Sequence, residues 1–153
     1  MKKGYTYTDR FGSFRLENPE ETSFLYFPLA GESGLKSSIT PLLGGDSKID
    51  QNTFLLQPAS AEELHNLRGS RNFWCVFEND KTGRNEIWSA AGNSAEAEYL
   101  RSIGKAEKSV LEAGFMWHKL EREGIRGLKA SITSFVPCDK RTFEIMEVTL
   151  ENA

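Results

Sequence analysis

The chain has 153 residues, of which 39% are hydrophobic, 27% charged and 11% aromatic, and its formal net charge is −3. This size and composition fit one packed domain, expected over residues 1–153, and argue against a disordered chain. Lys and Arg are interleaved with Asp and Glu, which argues against a nucleic-acid partner. No apolar run approaches the roughly 20 residues that span a membrane, and no apolar stretch follows Met1, so we expect a cytoplasmic protein with no membrane partner.

Short segments of strand-forming residues occupy the first ninety positions, separated by Gly, Asn, Asp and Pro. They cover residues 5–7, 13–16, 23–29, 38–43, 53–57, 72–78 and 86–90. The segment 23–29 is apolar on both faces, which is typical of a strand covered on both sides. Pro41 indicates an edge or a strand end, and residues 79–85 predict a hairpin loop.

Alternation of apolar and polar residues is clearest in the C-terminal third. Residues 109–121 predict one long segment, with Ala113, Phe115 and Trp117 on one face and Met116 and His118 on the other. Residues 128–136 alternate over nine positions, and 143–150 form the last strand. Turns at 123–124 and 137–140 connect these strands into a meander.

Two short helices interrupt the strand pattern. Ser60 and Glu63 have capping-box spacing, and Asn93 and Glu96 repeat it. Each helix is short, so its stability must come from packing on the sheet. The predicted fold is therefore mainly β: an antiparallel β-sandwich of two stacked sheets with one or two short helices.

Most kinds of catalytic site find no support in the sequence. His65 and His118 have no zinc-ligand spacing, so no metal site is expected. Cys75 and Cys138 are far apart and are expected to be reduced thiols. Neither a nucleophile motif, nor a phosphate-binding loop, nor a carboxylate pair with an acid–base rationale is present, so no catalytic residue is predicted.

One polar cluster stands out, at residues 65–74, where two Arg, two Asn, a His and a Trp occur together, with a further polar run at 50–52. Such side chains suit sugar recognition, because they combine planar hydrogen-bonding groups with an aromatic face. They equally suit the bracing of an irregular loop through its backbone carbonyls, which reasoning from the residues alone favours. The candidate substrate-binding residues are Gln51, Asn52, Asn66, Arg68, Arg71, Asn72 and Trp74.

Around this cluster the sequence resembles the N-terminal region of the cellobiose phosphorylase group, the inverting glycoside phosphorylases of glycoside hydrolase family 94, formerly glycosyltransferase family 36. The resemblance covers roughly residues 5–150. The segments that carry it, in order, are 38–41, 45–56, 63–66, 71–74, 88–90, 112–118 and 133–137.

The resemblance implies a β-sandwich of the supersandwich, galactose-mutarotase-like type that precedes a helical linker and a catalytic (α/α)-barrel. In such enzymes inorganic phosphate attacks the anomeric carbon of a β-linked gluco-oligosaccharide, and a carboxylic acid of the barrel protonates the leaving oxygen. No metal or organic cofactor is implied. The chain would then be an N-terminal domain or fragment that is inactive alone. Its candidate partners are the barrel, an oligosaccharide and a second copy in a homodimer.

Three hypotheses follow from these observations. The leading one is a non-catalytic domain that scaffolds the barrel and shapes its sugar cleft. The alternative is a stand-alone carbohydrate-binding module, which requires an exposed aromatic platform from Trp74, Trp88 or Trp117, although their alternating positions favour burial. An independent small enzyme is the least supported.

Overall fold

The computed structural model describes residues 4–22, 25–56, 71–79 and 81–152. These residues form a mainly β protein with antiparallel sheets and one α-helix, consistent with a β-sandwich, so the predicted fold class is confirmed. The strands are β1 (Tyr5–Tyr7), β2 (Phe14–Glu17), β3 (Phe27–Ala30), β4 (Lys36–Ile39), β5 (Ser47–Lys48), β6 (Phe54–Leu56), β7 (Trp74–Asn79), β8 (Arg84–Ser89), β9 (Ser109–Gly114), β10 (Trp117–Glu123), β11 (Leu128–Phe135) and β12 (Ile145–Asn152).

The largest sheet has six strands in the order β1-β2-β9-β10-β11-β12, and every neighbouring pair is antiparallel. Its C-terminal part is the predicted meander. Alternate residues of β9, β10 and β11 are buried, as the period of two requires. One face of this sheet therefore lies against the core, and the other face is directed away from it.

The segment 109–121, predicted as one long element, is two strands joined by the turn Phe115–Met116. Met116 has a left-handed backbone with φ 62°, which allows the chain to reverse. The reversal pairs Trp117 with Gly114 and His118 with Ala113. Ala113 and His118 are therefore buried on the inner face, and the prediction that Ala113 and Trp117 share a face is wrong.

A second sheet has the order β3-β4-β5-β6, and β7 pairs with β8 in a separate hairpin. The main core joins all three units through buried apolar side chains: Leu29, Leu35, Ile39, Leu43, Cys75, Trp88, Leu120, Ala130, Ile132 and Val136. A smaller cluster of Leu16, Phe27, Leu111 and Ala113 lies beside it. Burial of this apolar surface is the main stabilising contribution to the fold.

Two strand predictions need correction. Strand β3 buries Phe27 and Leu29, but Pro28 is exposed, so only one face is covered. Ser23 and Phe24, also within the predicted strand, lie outside the described residues. Strand β4 ends at Ile39, because residues 40–46 turn back through a hydrogen bond from the Leu43 amide to the Thr40 carbonyl.

The helix α1 spans Ala95–Ser102, and its N-cap lies one residue later than predicted. Ser94, not Asn93, is the N-cap: its Oγ accepts a hydrogen bond from the Ala97 amide at 3.1 Å. The other predicted helix, at Ser60–Glu63, lies outside the described residues. In the described part of the chain, no helix is long and apolar enough to cross a membrane.

Candidate functional site

The predicted sugar-binding residues lie in different environments. Gln51 and Asn52 are exposed between β5 and β6, where the Asn52 amide donates to Asp50 Oδ1 at 2.7 Å. Trp74 begins β7 and is 48% exposed. Asn66 and Arg68 lie outside the described residues. Arg71 and Asn72 point into the protein, where each holds a network of hydrogen bonds.

Arg71 connects three parts of the fold. Its Nε donates to Glu144 Oε1 at 2.5 Å and its Nη2 to Glu144 Oε2 at 2.8 Å, a bidentate pair. Nη2 also donates to Ser37 Oγ at 2.6 Å and to the Asp46 carbonyl at 3.3 Å. Nη1 lies 3.5 Å from the Ser38 and Leu43 carbonyls. Arg71 thus braces the turn after β4 through its backbone carbonyls.

Asn72 braces the segment that precedes α1 in the same way. Its Nδ2 donates to the Asn93 carbonyl at 3.0 Å, and its Oδ1 accepts from Ser89 Oγ at 2.8 Å. The Ser89 hydroxyl in turn accepts from the Asn93 amide at 3.0 Å. The amide of Asn72 is therefore used in fixing the connection between β8 and the helix. The sequence left two roles open for Arg71 and Asn72, which were bracing of a loop and recognition of a sugar. The contacts of both residues are those of loop bracing. Contact with a sugar stays a prediction.

His118 is fully buried on the inner face of β10, and its ring centroid lies 4.9 Å from that of Phe27. Burial lowers the pKa of this imidazole to about 4, and the positive charge of Arg71 adds to the effect. Both causes act against the charged form. His118 is thus a neutral core residue at physiological pH.

A second buried ionic network surrounds Arg122 on β10. Arg122 pairs with Glu20, and the other oxygen of that carboxylate accepts from Ser109 Oγ at 2.5 Å. Glu107 lies 3.9 Å from Arg122 Nη1 and accepts from Trp88 Nε1 at 2.9 Å. Burial raises the pKa of the Glu107 carboxyl, although Arg122 and Trp88 oppose the shift.

The sequence analysis missed Glu144, Ser37 and the Glu20–Arg122 pair. One signal was available for Arg122, because the alternation in β10 places it on the same face as His118 and Leu120. A buried arginine requires an anionic partner. Nothing in the local sequence pointed to Glu144, since it pairs with a residue 73 positions away.

The three tryptophans divide by environment. Trp88 is buried in the core, Trp117 is half-buried on the outer face of the six-stranded sheet, and Trp74 is exposed. Val76 and Ile87 are exposed beside Trp74 on the hairpin and are directly paired across it. Burial, expected for all three, is therefore right for Trp88 and wrong for Trp74.

Exposed phenylalanines lie at one end of the six-stranded sheet. We call this end the aromatic end, and it consists of the connections 8–13, 115–116 and 136–144. The strand register places all three connections together. Phe11 and Phe115 are 80% and 87% exposed. Asp9 Oδ1 holds the first turn by accepting from the Phe11 and Ser13 amides at 2.7 and 3.0 Å.

Metal and thiol chemistry find little support in the described residues. Over 4–22, 25–56, 71–79 and 81–152, no group of three or more His, Cys, Asp and Glu side chains could hold a metal ion. Cys75 is a buried free thiol whose pKa is raised by burial, and Cys138 is free and exposed. A raised pKa keeps Cys75 protonated and unreactive at neutral pH.

These features define an antiparallel β domain of the sandwich class in which Arg71 and Asn72 direct their hydrogen bonds to its own loops. Comparison of the chain with protein-family models finds no match, and comparison with curated proteins finds no significant similarity.

Proposed function

We propose that this chain is the non-catalytic N-terminal domain of a glycoside phosphorylase of the cellobiose phosphorylase group. The domain scaffolds a catalytic (α/α)-barrel, in the same or a companion chain, and shapes its sugar cleft. The parent reaction is the phosphorolysis of a β-linked gluco-oligosaccharide to a sugar 1-phosphate, with inorganic phosphate as co-substrate and no further cofactor.

The observation that carries this proposal is the convergence of the segments on which the resemblance depends. Arg71 contacts the segments 38–41 and 45–56, and Asn72 contacts Ser89 of the segment 88–90. The segments 112–118 and 133–137 are paired in register, with His118 opposite Ser134. Residues scattered along the chain thus form one structural unit, which supports reading them as the signature of one domain type.

The use of the polar residues supports a non-catalytic role. Arg71, Asn72 and Arg122 direct their hydrogen bonds to neighbouring loops and carboxylates of the domain itself. Catalysis requires polar groups that remain available for a substrate. A domain organised in this way fits a scaffold whose chemistry is supplied by another unit.

The aromatic end supplies a surface for the barrel. Phe115 lies on a two-residue turn and Phe11 on a turn closed by Asp9, so both rings are presented from short connections. Arg10 lies 4.9 Å from the Phe11 ring centroid. Aromatic and arginine side chains are the residues enriched at protein interfaces.

A cytoplasmic location completes the proposal. Both cysteines are free, one buried and one exposed. Cytosolic proteins keep such thiols reduced, whereas secreted domains tend to pair them. A reducing compartment is therefore the setting that suits this chain.

Phosphate-dependent release of sugar 1-phosphate from β-linked gluco-oligosaccharides tests the proposal. The chain alone should release none, and a preparation that also contains the barrel should be active. Replacing Phe11 and Phe115 together by Ser should weaken the activity of that preparation while the isolated domain keeps its stability. Turnover by residues 1–153 alone would contradict the non-catalytic assignment.

A stand-alone carbohydrate-binding module is the second candidate, because Trp74 offers an exposed aromatic face beside Val76 and Ile87. Calorimetry with β-gluco-oligosaccharides separates the two candidates. Tight saturable binding that is lost in Trp74→Ala would favour the module, whereas weak or absent binding at Trp74 fits the scaffold.

A further inference from the structure

The outer face of the six-stranded sheet carries a groove that crosses five strands at the end opposite the aromatic end. Its volume is about 640 Å³. Small-molecule sites in proteins measure roughly 300–1,000 Å³, so the groove has room for a ligand. The predicted sugar-binding residues that the structure describes, which are Gln51, Asn52, Arg71, Asn72 and Trp74, do not line it.

The groove forms because side chains of different length follow one another along one row of residues that crosses the strands. Glu17, Val110, Glu121, Ser131 and Thr149 are consecutive partners from β2 to β12. The side chains of Val110, Ser131 and Thr149 are shorter than the charged ones around them and form the floor of the groove. Ser131 and Thr149 are neighbours, and Glu121 separates them from Val110. Since strands lie roughly 4.8 Å apart, the row crosses much of the sheet width and suits an elongated ligand.

Charged residues of both signs surround the groove. Three cationic residues (Arg15, Lys108 and Lys129) and four anionic ones (Glu17, Glu121, Glu123 and Glu151) line it, while the side chain of Arg122 turns to the core and pairs with Glu20. Several are already paired: Arg15 with Glu17 at 3.1 Å, Lys119 with Glu121 at 2.6 Å, and Lys129 with Glu123 at 3.5 Å. An anion or a cation entering the groove would therefore meet charges of its own sign as well as opposite ones.

The residues that line the groove also supply many hydrogen-bonding groups. Guanidinium and ammonium groups donate, carboxylates accept, and the hydroxyls of Ser131 and Thr149 do both. A neutral ligand with many hydroxyls matches this mixture, because each hydroxyl can donate and accept. An apolar ligand does not, since among the described residues only Val110 offers an apolar side chain there, and the side chain of Ala130 is buried in the core.

From these properties we infer that the outer groove of the six-stranded sheet is a binding site for a neutral oligosaccharide. The inference deepens the proposed function by assigning a secondary sugar site outside the catalytic barrel. Among the residues that the structure describes, no aromatic ring lines the groove. Binding therefore depends on hydrogen bonds exchanged with water, and the dissociation constant is on the order of 1 mM.

Amide chemical shifts of the isotope-labelled full chain provide the test, with β-linked glucotetraose as probe. Saturable shifts are expected at Val110, Ser131 and Thr149. Ser131→Trp fills the floor and should weaken binding about tenfold or more, a loss of about 1.4 kcal/mol. Thr133→Trp is the matched control, because Thr133 faces the same side two residues along β11 but does not line the groove. Trp suits a strand, so both variants should fold, which their denaturation midpoints check.

The remaining outcomes would overturn the inference. They are shifts confined to the region of Trp74, no shifts at saturating probe, equal weakening by both Trp variants, or clearly tighter binding of a sulfated or cationic oligosaccharide of the same length. A negative result for sugar binding in the groove would not contradict the proposed function. That function is contradicted by a different result, which is phosphorolysis by this chain alone.

Discussion

Arg71 and Glu144 are 73 positions apart in the sequence and form a bidentate ion pair in the fold, at 2.5 and 2.8 Å. The side chains are only 7% and 13% exposed. Ser37 joins the pair by donating to Glu144 Oε2 at 2.5 Å and accepting from Arg71. This contact links the start of β7, the start of β12 and the strand β4, so it fastens three distant parts of the chain.

Removal of one partner of this pair should strongly destabilise the domain. Glu144→Leu leaves the Arg71 charge buried without its carboxylate, which costs about 3–5 kcal/mol. Urea denaturation measures the loss. The double variant Arg71→Met with Glu144→Leu should recover part of it, because no unpaired charge remains.

Asp139→Ala is the matched control for the ion-pair experiment. It breaks the pair between Asp139 and Arg141, whose side chains are 39% and 64% exposed. Exposed pairs contribute little, so the denaturation midpoint should barely move. Equal effects of Glu144→Leu and Asp139→Ala would show that the buried network does not hold the fold together.

His118 should make stability depend on pH between about 6.5 and 4. Its pKa is lowered from 6.5 to about 4 in the fold, so over this range the unfolded chain binds the proton and the folded chain does not. The stabilisation is complete above pH 6.5 and is lost as the pH falls towards 4, a total on the order of 3 kcal/mol. Denaturation at several pH values measures it.

His118→Phe is the variant that isolates this effect. The ring remains able to pack on Phe27, which lies 4.9 Å from the imidazole centroid, but it no longer titrates. The slope of stability against pH between 6.5 and 4 should become shallower than in the original protein. An unchanged slope would mean that other groups account for the acid sensitivity.

Gly45 should tolerate substitution worse than Gly83, although both have positive φ, 120° and 62°. A Cβ on Gly45 would lie 1.9 Å from the Ser38 carbonyl oxygen, whereas no described residue other than its two chain neighbours lies within 4 Å of one on Gly83. Gly83→Ala should cost only backbone strain, about 1–2 kcal/mol. Gly45→Ala adds a clash with backbone and should cost more. Thermal denaturation of both variants tests the order.

The meander of β10, β11 and β12 was predictable because alternation records which face of a strand is buried. The split of 109–121 into two strands was not, because its turn at Phe115 and Met116 contains no Gly, Pro, Asn or Asp. Met116 adopts its left-handed conformation in the context of the paired strands. Local sequence therefore identified the strands but missed this reversal.

The local sequence was even less informative about the contacts of the candidate site. The sequence singled out Arg71 and Asn72 as polar residues in an irregular segment, and it left bracing and sugar binding both open. Their partners Glu144 and Asn93 decide which contacts form, and these lie 73 and 21 positions away. The groove could not be predicted from the sequence for a related reason. Its floor consists of single residues on separate strands, which become neighbours only through the strand register.

The core role of Trp88 leads to a final prediction. Its Nε1 donates to Glu107 Oε1 at 2.9 Å, while its ring is buried among the three sheets. Trp88→Phe removes a donor from a buried carboxylate and should cost about 1–3 kcal/mol. Trp74→Phe is the matched control, because Trp74 is 48% exposed and its replacement should leave the urea midpoint nearly unchanged. Equal losses in the two variants would contradict this assignment of one tryptophan to the core and the other to the surface.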